Sequence, residues 1–590
     1  MKRLAALLCA GLIYATAPAP APALAATDDR ASASRAFAAP AQLSEAEREN
    51  YRAIFAALRA RDWAQAAGRL DEMRPGLLHD FARAQLFTMP GSPRVEGGPL
   101  VQLLGRAPDL PQAATLARLA GTRGVEELPA IPEAQRLYGL PGQPRRARPR
   151  PVRGDAVADQ LEPLISPLIR DDKPVEAEAL LATRSAELTT EARIAFQQRI
   201  AWVYYLNGND RDARRIADLC RTGSSDFALQ AEWVAGLAAW RMGDYADAAR
   251  HFADVATRST DVELAAAGHY WAARADTAGG HPDRVQARLR AAARHGETFY
   301  GLLAQSALGM HGPPADMTTF TERDWHALRD VRNARIAIAL SEIGESQLAS
   351  DVIRHQARIG NPRDHEPLIH LAARLNLTAT QMYLSHNGPR GAHFGPAERY
   401  PTPSWRPANG WRVDQALAFA HALQESTFRP DVTSPAGARG LMQVLPGTSQ
   451  WMARVNAGAR TADPSRLFDP ATNLEYGQTF MEYLRDYSGT GGLLPKVIAS
   501  YNAGPAPIAA WNTRYDQSDP LLYIESIPYW ETRGYVPIIL RNYWIYEDEG
   551  ADRSSSRRAL AAGLWPRFPG LPGPTAVRIA TQRDVAMTAD

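Results

Sequence analysis

One carboxylate, Glu425, closes a helix-like segment that is otherwise mostly apolar. Apolar residues at 413, 416, 417, 420 and 423 recur at intervals of three and four, the spacing of one face of an α-helix. Asp414 stands at the start, where its carboxylate can cap the first turn. A lone glutamate here would simply be a solvated residue of a last turn. In apolar surroundings, however, its pKa would rise, as a general acid near neutral pH requires.

Several short motifs near Glu425 argue against a merely solvated glutamate. In chain order they are QES at 424–426, SPAGA at 434–438, GLMQVLP at 440–446, SYNAG at 500–504 and IPYWETRGYV at 527–536. Together they closely resemble the soluble lytic transglycosylase family of lysozyme-like, peptidoglycan-cleaving enzymes. The resemblance covers about Val413 to Val536.

Three positions depart from the family pattern. The family usually has Arg before Gln-Glu-Ser, where this chain has Leu423, and Ala before Tyr-Asn-Ala-Gly, where it has Ser500. Its second Met in the Gly-Leu-Met-Gln block is Leu445 here, which keeps an apolar side chain of similar volume. No departure removes a group with an obligatory chemical role, although Leu423 removes a positive charge close to the active carboxyl.

The resemblance implies cleavage between N-acetylmuramic acid and N-acetylglucosamine without water. Glu425 would protonate the glycosidic oxygen while the muramic acetamide oxygen attacks the anomeric carbon. Glu425 would then take the proton of the C6 hydroxyl, which closes a 1,6-anhydro ring. One carboxylate suffices when the substrate supplies the nucleophile. The other nearby acids stand in turn or helix-start contexts, where capping is the usual role: Asp431, Asp463, Asp469 and Glu475.

The matched motifs also imply a set of substrate-binding residues. Gln443 offers donor and acceptor atoms to sugar groups, and Tyr501 is expected near the reacting acetamide. For Ser434 the alternative is a structural role in a turn, and for Glu531 the alternative is an ion pair with Arg533. The set is Ser434, Gln443, Leu445, Tyr501, Asn502 and Glu531. No metal-ligand cluster, phosphate-binding loop or nucleophile elbow is evident in the sequence, so neither a cofactor nor a metal is predicted.

Residues 1–25 are predicted to be a secretory signal peptide. Lys2 and Arg3 precede an apolar stretch at 4–17, and Ala-Leu-Ala at 23–25 fits small-x-small cleavage. A membrane anchor is the alternative, but the stretch is shorter than the ~20 residues needed to span a bilayer. We therefore expect a periplasmic protein cleaved near Ala25. Cys220 would then be its single cysteine, most simply a small buried residue.

The charge balance limits the class of partner. The chain has 66 Lys plus Arg against 64 Asp plus Glu, whereas a dedicated nucleic-acid binder would show a basic excess. The expected partner is the glycan strand of peptidoglycan. A monomer is expected, and peripheral association with the cell wall or outer membrane is left open.

The first two thirds of the chain are predicted to be helical repeats. A turn followed by alanine-rich helix recurs at 172–177, 208–213, 243–248 and 280–285, with starts 36, 35 and 37 residues apart. Related units occur at 61–66 and 344–349. This period is typical of helix–turn–helix repeats, which stack into a superhelix. Aromatic residues within these stretches are interpreted as core: Trp202, Tyr205, Trp233, Trp240, Tyr270 and Trp271.

The predicted fold is therefore mainly α, a helical-repeat superhelix followed by a lysozyme-like catalytic domain. The expected boundaries are a superhelix at 26–317, a helical linker and joint at 318–399, the catalytic domain at 400–550 and a Pro/Gly-rich tail at 551–590. The tail is expected to be poorly ordered or draped over the surface. The Pro- and Arg-rich stretch 140–154 is interpreted as a mobile, solvated loop between helices.

Two other functions remain open at this level. A hydrolytic muramidase would require a second, well-placed carboxylate. An inactive peptidoglycan-binding scaffold would use the repeats alone, since repeat surfaces recruit partners.

Overall fold

The computed structural model describes residues 37–310, 319–455, 463–515, 518–549 and 554–579. These residues are mainly α-helical, as predicted. The first five helices are α1 (Glu45–Ala60), α2 (Trp63–Glu72), α3 (His79–Thr88), α4 (Gly97–Arg106) and α5 (Ala113–Gly121). Nine more form the middle of the superhelix: α6 (Ala156–Arg170), α7 (Pro174–Arg184), α8 (Thr190–Leu206), α9 (Asp210–Asp218), α10 (Asp226–Arg241), α11 (Tyr245–Arg258), α12 (Val262–Ala278), α13 (Pro282–Ala293) and α14 (Phe299–Ala307).

The second half of the chain is also built from short helices. Those before the catalytic region are α15 (Glu322–Leu328), α16 (Arg332–Glu342), α17 (Ser346–Ile359), α18 (His365–Arg374), α19 (Thr378–His386) and α20 (Pro396–Arg399). Those that follow are α21 (Gln415–Ser426), α22 (Pro446–Val455), α23 (Pro470–Asp486), α24 (Leu494–Ala503), α25 (Pro505–Arg514), α26 (Pro520–Glu525), α27 (Trp530–Glu549) and α28 (Ser555–Ala561). There are two antiparallel strand pairs among the described residues: β1 (Tyr138–Gly139) with β2 (Asn387–Gly388), which are far apart in sequence, and β3 (Trp565–Pro566) with β4 (Ala576–Val577), which are close in sequence.

The turns of the repeats share one backbone feature. The first residue of every predicted unit has a positive φ: Arg61, Asp172, Gly208, Gly243, Gly280 and Gly344. This left-handed residue ends one helix and lets the chain reverse into the next, and glycine adopts it most readily. The alanine that ends five of the six units is fully buried between the paired helices: Ala66, Ala177, Ala213, Ala248 and Ala349. The predicted helix–turn–helix repeat is present.

The helices that precede the catalytic region pack against the first helices of the described chain. Helices α1 to α5 share one apolar core with α15 to α19, while α6 to α14 share a second core with α21 to α28. Glu342 joins the two ends of the first group, because it accepts hydrogen bonds from the Gln42 N–H at 2.7 Å and from Arg48 Nε at 2.9 Å. Residues 319–386, predicted as a linker, therefore pack with the N-terminal helices.

The Pro- and Arg-rich stretch 140–154 was predicted to be a mobile, solvated loop, and this is wrong at Arg146. Its guanidinium forms a bidentate ion pair with the buried carboxylate of Glu525, at 2.8 and 3.1 Å, and lies 4.8 Å from the ring of Trp233. Tyr300 also donates to Glu525, at 2.7 Å. Desolvating a carboxylate is costly unless it is paired and hydrogen-bonded, so the stretch serves as a structural bridge between superhelix and catalytic region.

The expectation of a disordered or superficial tail is wrong for residues 554–579. Trp565 is fully buried and its ring packs edge-on against Tyr523 at 5.3 Å. Trp544 of α27 donates to the Ser556 hydroxyl at 2.9 Å, and the Phe568 N–H donates to the Gly492 carbonyl at 2.8 Å. This segment completes the core of the catalytic region. Residues 551–553 and 580–590 lie outside the described part.

Four of the six aromatic residues of the repeats are core residues, as predicted, whereas Trp202 and Trp240 are only partly buried and pack against the same core. Tyr205, Trp233, Tyr270 and Trp271 are all at most 3 % exposed, and Trp271 donates to Tyr300 at 2.9 Å. Cys220 is likewise buried. The predicted signal peptide lies outside the described residues. In the described part of the chain, no helix has both the length and the apolar character to cross a membrane.

Candidate active site

Helix α21 presents Glu425 in its last turn, as the sequence predicted. At its start, Asp414 Oδ1 accepts from the N–H groups of Ala416 at 2.8 Å and Leu417 at 3.2 Å. At its end, Thr427 and Phe428 have φ of 51° and 55°. Left-handed backbone at two consecutive non-glycine residues is costly and is concentrated at functional sites. This turn ends the helix directly after the catalytic candidate.

The environment of Glu425 matches that of a general acid. Tyr535 of α27 donates its phenolic hydrogen to Glu425 Oε1 at 2.5 Å. Burial raises the pKa of Glu425 to about 7, with the Tyr535 hydrogen bond lowering it and the negative charge of Glu531 raising it. Near neutral pH the carboxyl can therefore both donate and accept a proton.

Two aromatic residues surround Glu425 on α21 and α24. Tyr501 is partly buried beside it, and its hydroxyl donates to the Met442 carbonyl at 2.8 Å. His421 lies one turn before Glu425, with its ring 4.8 Å from that of Tyr501 and its Nδ1–H donating to the Leu417 carbonyl at 2.9 Å. Burial lowers the pKa of His421 to about 4, so its imidazole is neutral.

Tyr535 and His421 were missed as site residues in the sequence. Tyr535 was inside the matched block at 527–536, but nothing in that block indicates which side chain reaches α21. His421 stands four residues before Glu425, a spacing that puts both on one helical face. That spacing was the available signal.

Four of the six predicted substrate-binding residues line one groove. Gln443, Leu445, Tyr501 and Asn502 border a cavity of about 570 Å³ together with Trp451, Phe480 and Tyr483. The Trp451 and Tyr483 rings pack edge-on at 4.7 Å, and Leu445 is 43 % exposed. Exposed apolar faces with a few amide groups suit a sugar chain, which has both apolar ring faces and polar edges.

The groove turn is held by its own side chains. Gln443 has a φ of 47°, and its Nε2 donates to the Gly440 carbonyl at 2.8 Å. The Ser434 hydroxyl accepts from the Ala438 N–H at 3.1 Å, which is the turn role weighed as its alternative. Among the described hydrogen bonds, none joins Ser434 to Glu425.

Glu531 is exposed near the end of the groove. Asn502 Nδ2 lies 3.5 Å from Glu531 Oε1, while Asn502 Oδ1 accepts from the Thr532 hydroxyl at 2.6 Å. The alternative of a pair with Arg533 is wrong, because the guanidinium of Arg533 instead lies 4.1 Å from the ring centroid of Trp202. Glu531 is thus the nearby acid that contributes to the raised pKa of Glu425.

Of the four other acids that were predicted to cap turns or helices, two do so. Asp463 and Asp469 cap helical turns, accepting from the N–H groups of Ser465 and Thr472, each at 2.9 Å. Glu475 was expected in the same role, but it lies within α23 and pairs with Arg412 at 2.6 Å. Asp431 is exposed.

One protein family model matches the part of the chain that contains Glu425 and the groove. Residues 404–524 match the family model of the transglycosylase SLT domain. The chain carries an SLT domain. This confirms the resemblance seen in the motif blocks.

Curated relatives match mainly over the SLT domain. The soluble lytic murein transglycosylase of Escherichia coli K12 is 37 % identical over 136 residues, 23 % of this chain and 21 % of the relative. A membrane-bound lytic murein transglycosylase C from Actinobacillus succinogenes is 28 % identical over 196 residues, 31 % of this chain and 52 % of that protein. The chain thus spans about a fifth of the length of the first of these relatives.

The likeness to solved structures extends beyond the SLT domain. The 70 kDa soluble lytic transglycosylase of Escherichia coli superposes with a TM-score of 0.51 at 18 % identity, covering 88 % of this chain and 99 % of that one. An inactive mutant of the lytic transglycosylase Slt from Pseudomonas aeruginosa gives a TM-score of 0.53 at 19 % identity, with 87 % and 90 % covered. At these identities the likeness concerns the fold alone, and it includes the superhelix.

Proposed function

We propose that this protein is a peptidoglycan lytic transglycosylase. It would cleave the β-1,4 bond between N-acetylmuramic acid and N-acetylglucosamine and leave a 1,6-anhydro-N-acetylmuramic acid end. The observation that carries the proposal is a partly buried Glu425 with a pKa of about 7 next to Tyr501, which lines a sugar-sized groove of an SLT domain. The names of the relatives favour the same substrate.

In the first step, protonated Glu425 donates its proton to the glycosidic oxygen. The acetamide oxygen of the same muramic acid attacks the anomeric carbon, the glycosidic bond breaks, and N-acetylglucosamine leaves with the proton. Glu425 becomes a carboxylate, and the hydrogen bond from Tyr535 stabilises that charge in a buried site. Tyr535 would thus position the acid and moderate its pKa.

In the second step, the Glu425 carboxylate accepts the proton of the C6 hydroxyl. The C6 oxygen attacks the anomeric carbon and displaces the acetamide oxygen, which closes the anhydro ring. No water is consumed, and Glu425 is again protonated. A pKa of about 7 suits both steps, because it lets one group act as acid and then as base near neutral pH.

The groove residues would hold the strand in register with Glu425. Gln443 and Asn502 have amide groups for sugar hydroxyls and acetamides, and Leu445 offers an apolar surface. Glu531, exposed and next to Asn502, would bind a sugar at the groove wall. Ser434 would contact the strand only through whatever capacity its turn hydrogen bond leaves.

A hydrolytic muramidase is the second candidate, and Glu531 is the observation that favours it. Its charge reaches Glu425, so it is the carboxylate that could activate a water. In the proposed transglycosylase it only binds sugar.

We further propose that the protein is exported to the periplasm with cleavage near Ala25, acts there as a monomer and binds glycan strands, and that the superhelix helps hold long strands.

Product mass separates these functions. Purified peptidoglycan is digested with the full chain, and the released muropeptides are analysed by chromatography and mass spectrometry. Anhydro ends support the proposal, reducing ends support the muramidase, and absence of products supports a binding scaffold. Glu425→Gln, which keeps size but loses the transferable proton, should lower the rate by at least about 10²-fold. Glu531→Gln should keep anhydro products at a lower rate, whereas a muramidase would lose turnover.

A further inference from the structure

A cluster of ligand-type side chains lies outside the SLT domain, at the joint that precedes it. Glu366 and His370 belong to α18, and their spacing of four residues puts them on one face of the helix. Glu398 belongs to α20, two residues before the buried Tyr400. One ligand atom from each of the three lies within 4.8 Å of the other two. Because they come from separate segments, no sequence motif indicates them.

We propose that Glu366, His370 and Glu398 form a binding site for a divalent transition-metal cation, with Zn²⁺ the best match. One imidazole nitrogen and two carboxylate oxygens are the donors this ion accepts, with water at a remaining position. Ca²⁺ is a poorer match because it requires six to eight oxygen ligands.

The separations suit metal binding after small adjustments. His370 Nε2 lies 3.7 Å from Glu398 Oε1. Bonds of about 2.0–2.1 Å in a tetrahedral site put ligand atoms roughly 3.3–3.4 Å apart. Glu366 is exposed, so its side chain can rotate towards the other two without disturbing the core.

An orienting residue is already in place behind the histidine. Asp324 of α15 is buried, and its Oδ2 accepts from His370 Nδ1 at 3.0 Å. A hydrogen bond on Nδ1 fixes the tautomer whose free lone pair is on Nε2, the atom that faces Glu398. Metal-bound histidines almost always donate their other ring N–H to a carboxylate, a backbone carbonyl or water. Asp324 is in turn held by the N–H and hydroxyl of Thr321, at 2.8 and 2.7 Å.

The site would connect three elements at the entrance to the SLT domain. Asp324, His370 and Glu398 lie on α15, α18 and α20, and α20 is the last helix before the domain. A bound cation would tie these elements together, so its role would be structural. The inference stands independently of the proposed function, because none of these residues lines the groove.

The competing interpretation is an ion triad without metal. Burial lowers the pKa of His370, but its hydrogen bonds with Asp324 and Glu398 outweigh this and raise it to about 9. A protonated imidazole between two carboxylates needs no cation. Metal content and metal-dependent stability distinguish the two interpretations.

The test uses the full chain without a histidine tag, stripped with a chelator and then given Zn²⁺, Ca²⁺ or Co²⁺ alone. We expect one tightly held equivalent of Zn²⁺ by elemental analysis after gel filtration, a higher unfolding temperature with Zn²⁺ than with Ca²⁺, and a visible absorption spectrum of bound Co²⁺. Glu366→Gln and His370→Gln should weaken Zn²⁺ binding by at least about 10-fold, the scale on which even outer partners of metal ligands act.

A matched control lies on the neighbouring helix α15. Glu322 and His326 have the same spacing of four residues and are 3.8 Å apart, but they are exposed, and among the described residues they do not form a group of three ligand side chains with any third residue. Glu322→Gln should leave Zn²⁺ binding unchanged. Absence of stoichiometric binding to the full chain overturns the proposal. So does binding that Glu366→Gln leaves intact, and because Glu366 is exposed this variant tests the site even if His370→Gln does not fold.

Discussion

Removing the Tyr535 hydroxyl provides a direct test of how Glu425 is tuned. In Tyr535→Phe the phenyl ring stays in place, but Glu425 loses the hydrogen bond of 2.5 Å that stabilises its charged form. A hydrogen bond to a charged group contributes about 1.5–3 kcal/mol, and one pKa unit corresponds to about 1.4 kcal/mol. The pKa of Glu425 should therefore rise by roughly one to two units from its value of about 7.

The direction of the kinetic effect follows from the first step. Protonated Glu425 is the active form, so kcat/KM should fall as pH rises through its pKa. In Tyr535→Phe this descending limb should move to higher pH by the same one to two units. The maximal rate should fall by about 10- to 100-fold, because the carboxylate formed in the first step loses about 1.5–3 kcal/mol of stabilisation. Anhydro-product release from purified peptidoglycan, measured across pH, gives both quantities.

Tyr501→Phe is the matched control. Tyr501 also lies near Glu425 and is partly buried, but its hydroxyl donates to the Met442 carbonyl, so its loss should leave the descending limb in place. If the limb stays where it is in Tyr535→Phe, or moves equally in both variants, the hydrogen bond to Tyr535 does not set the pKa of Glu425.

Three further predictions concern stability. The pKa of Glu425 is raised from 4.5 to about 7, so the folded state loses stability as pH rises from about 4.5 to 7. Glu425→Gln should therefore be more stable than wild type by about 3 kcal/mol at pH 8 and by little at pH 4.5. Thermal unfolding at both pH values measures this difference. Arg146→Ala leaves the buried carboxylate of Glu525 without its cation and should destabilise the protein by about 3–5 kcal/mol in denaturant unfolding. Arg145→Ala, at the exposed neighbour, should change the stability very little. Equal effects of the two variants would contradict a structural role for the Arg146–Glu525 ion pair. A fragment of residues 400–579 should be soluble and show cooperative unfolding by circular dichroism. A fragment of 400–550, the bounds predicted for the catalytic domain, should not, since it lacks Trp565; equal behaviour would place the core boundary before 550.

The local features of the active helix could be predicted from its sequence. The apolar spacing before Glu425 and the cap at Asp414 depend on neighbouring residues only, and both are present. The repeat units were equally accessible, because the turn and the buried alanine of each unit recur at a fixed period. The motif blocks that resemble the family also sufficed to indicate four groove residues.

The contacts made across long sequence distances could not be predicted in this way. Arg146 looked like part of a solvated basic loop because its partner, Glu525, is 379 residues away. The tail after residue 550 looked disordered because its composition is rich in proline and glycine, yet the ring of Trp565 packs against that of Tyr523. Composition describes a segment in isolation and contains no information about the surface it meets.

The sequence by itself determined that the chain is helical, repeats in its first two thirds, and presents one carboxylate at the end of an apolar helix, because helix period, caps and turns act over a few residues. Only the tertiary structure decided that Tyr535 reaches Glu425 and that burial raises its pKa to about 7. Burial and hydrogen bonding of a carboxyl group depend on which helix packs against it. That choice is made by the combined apolar surfaces of α21, α24 and α27, which no local pattern contains.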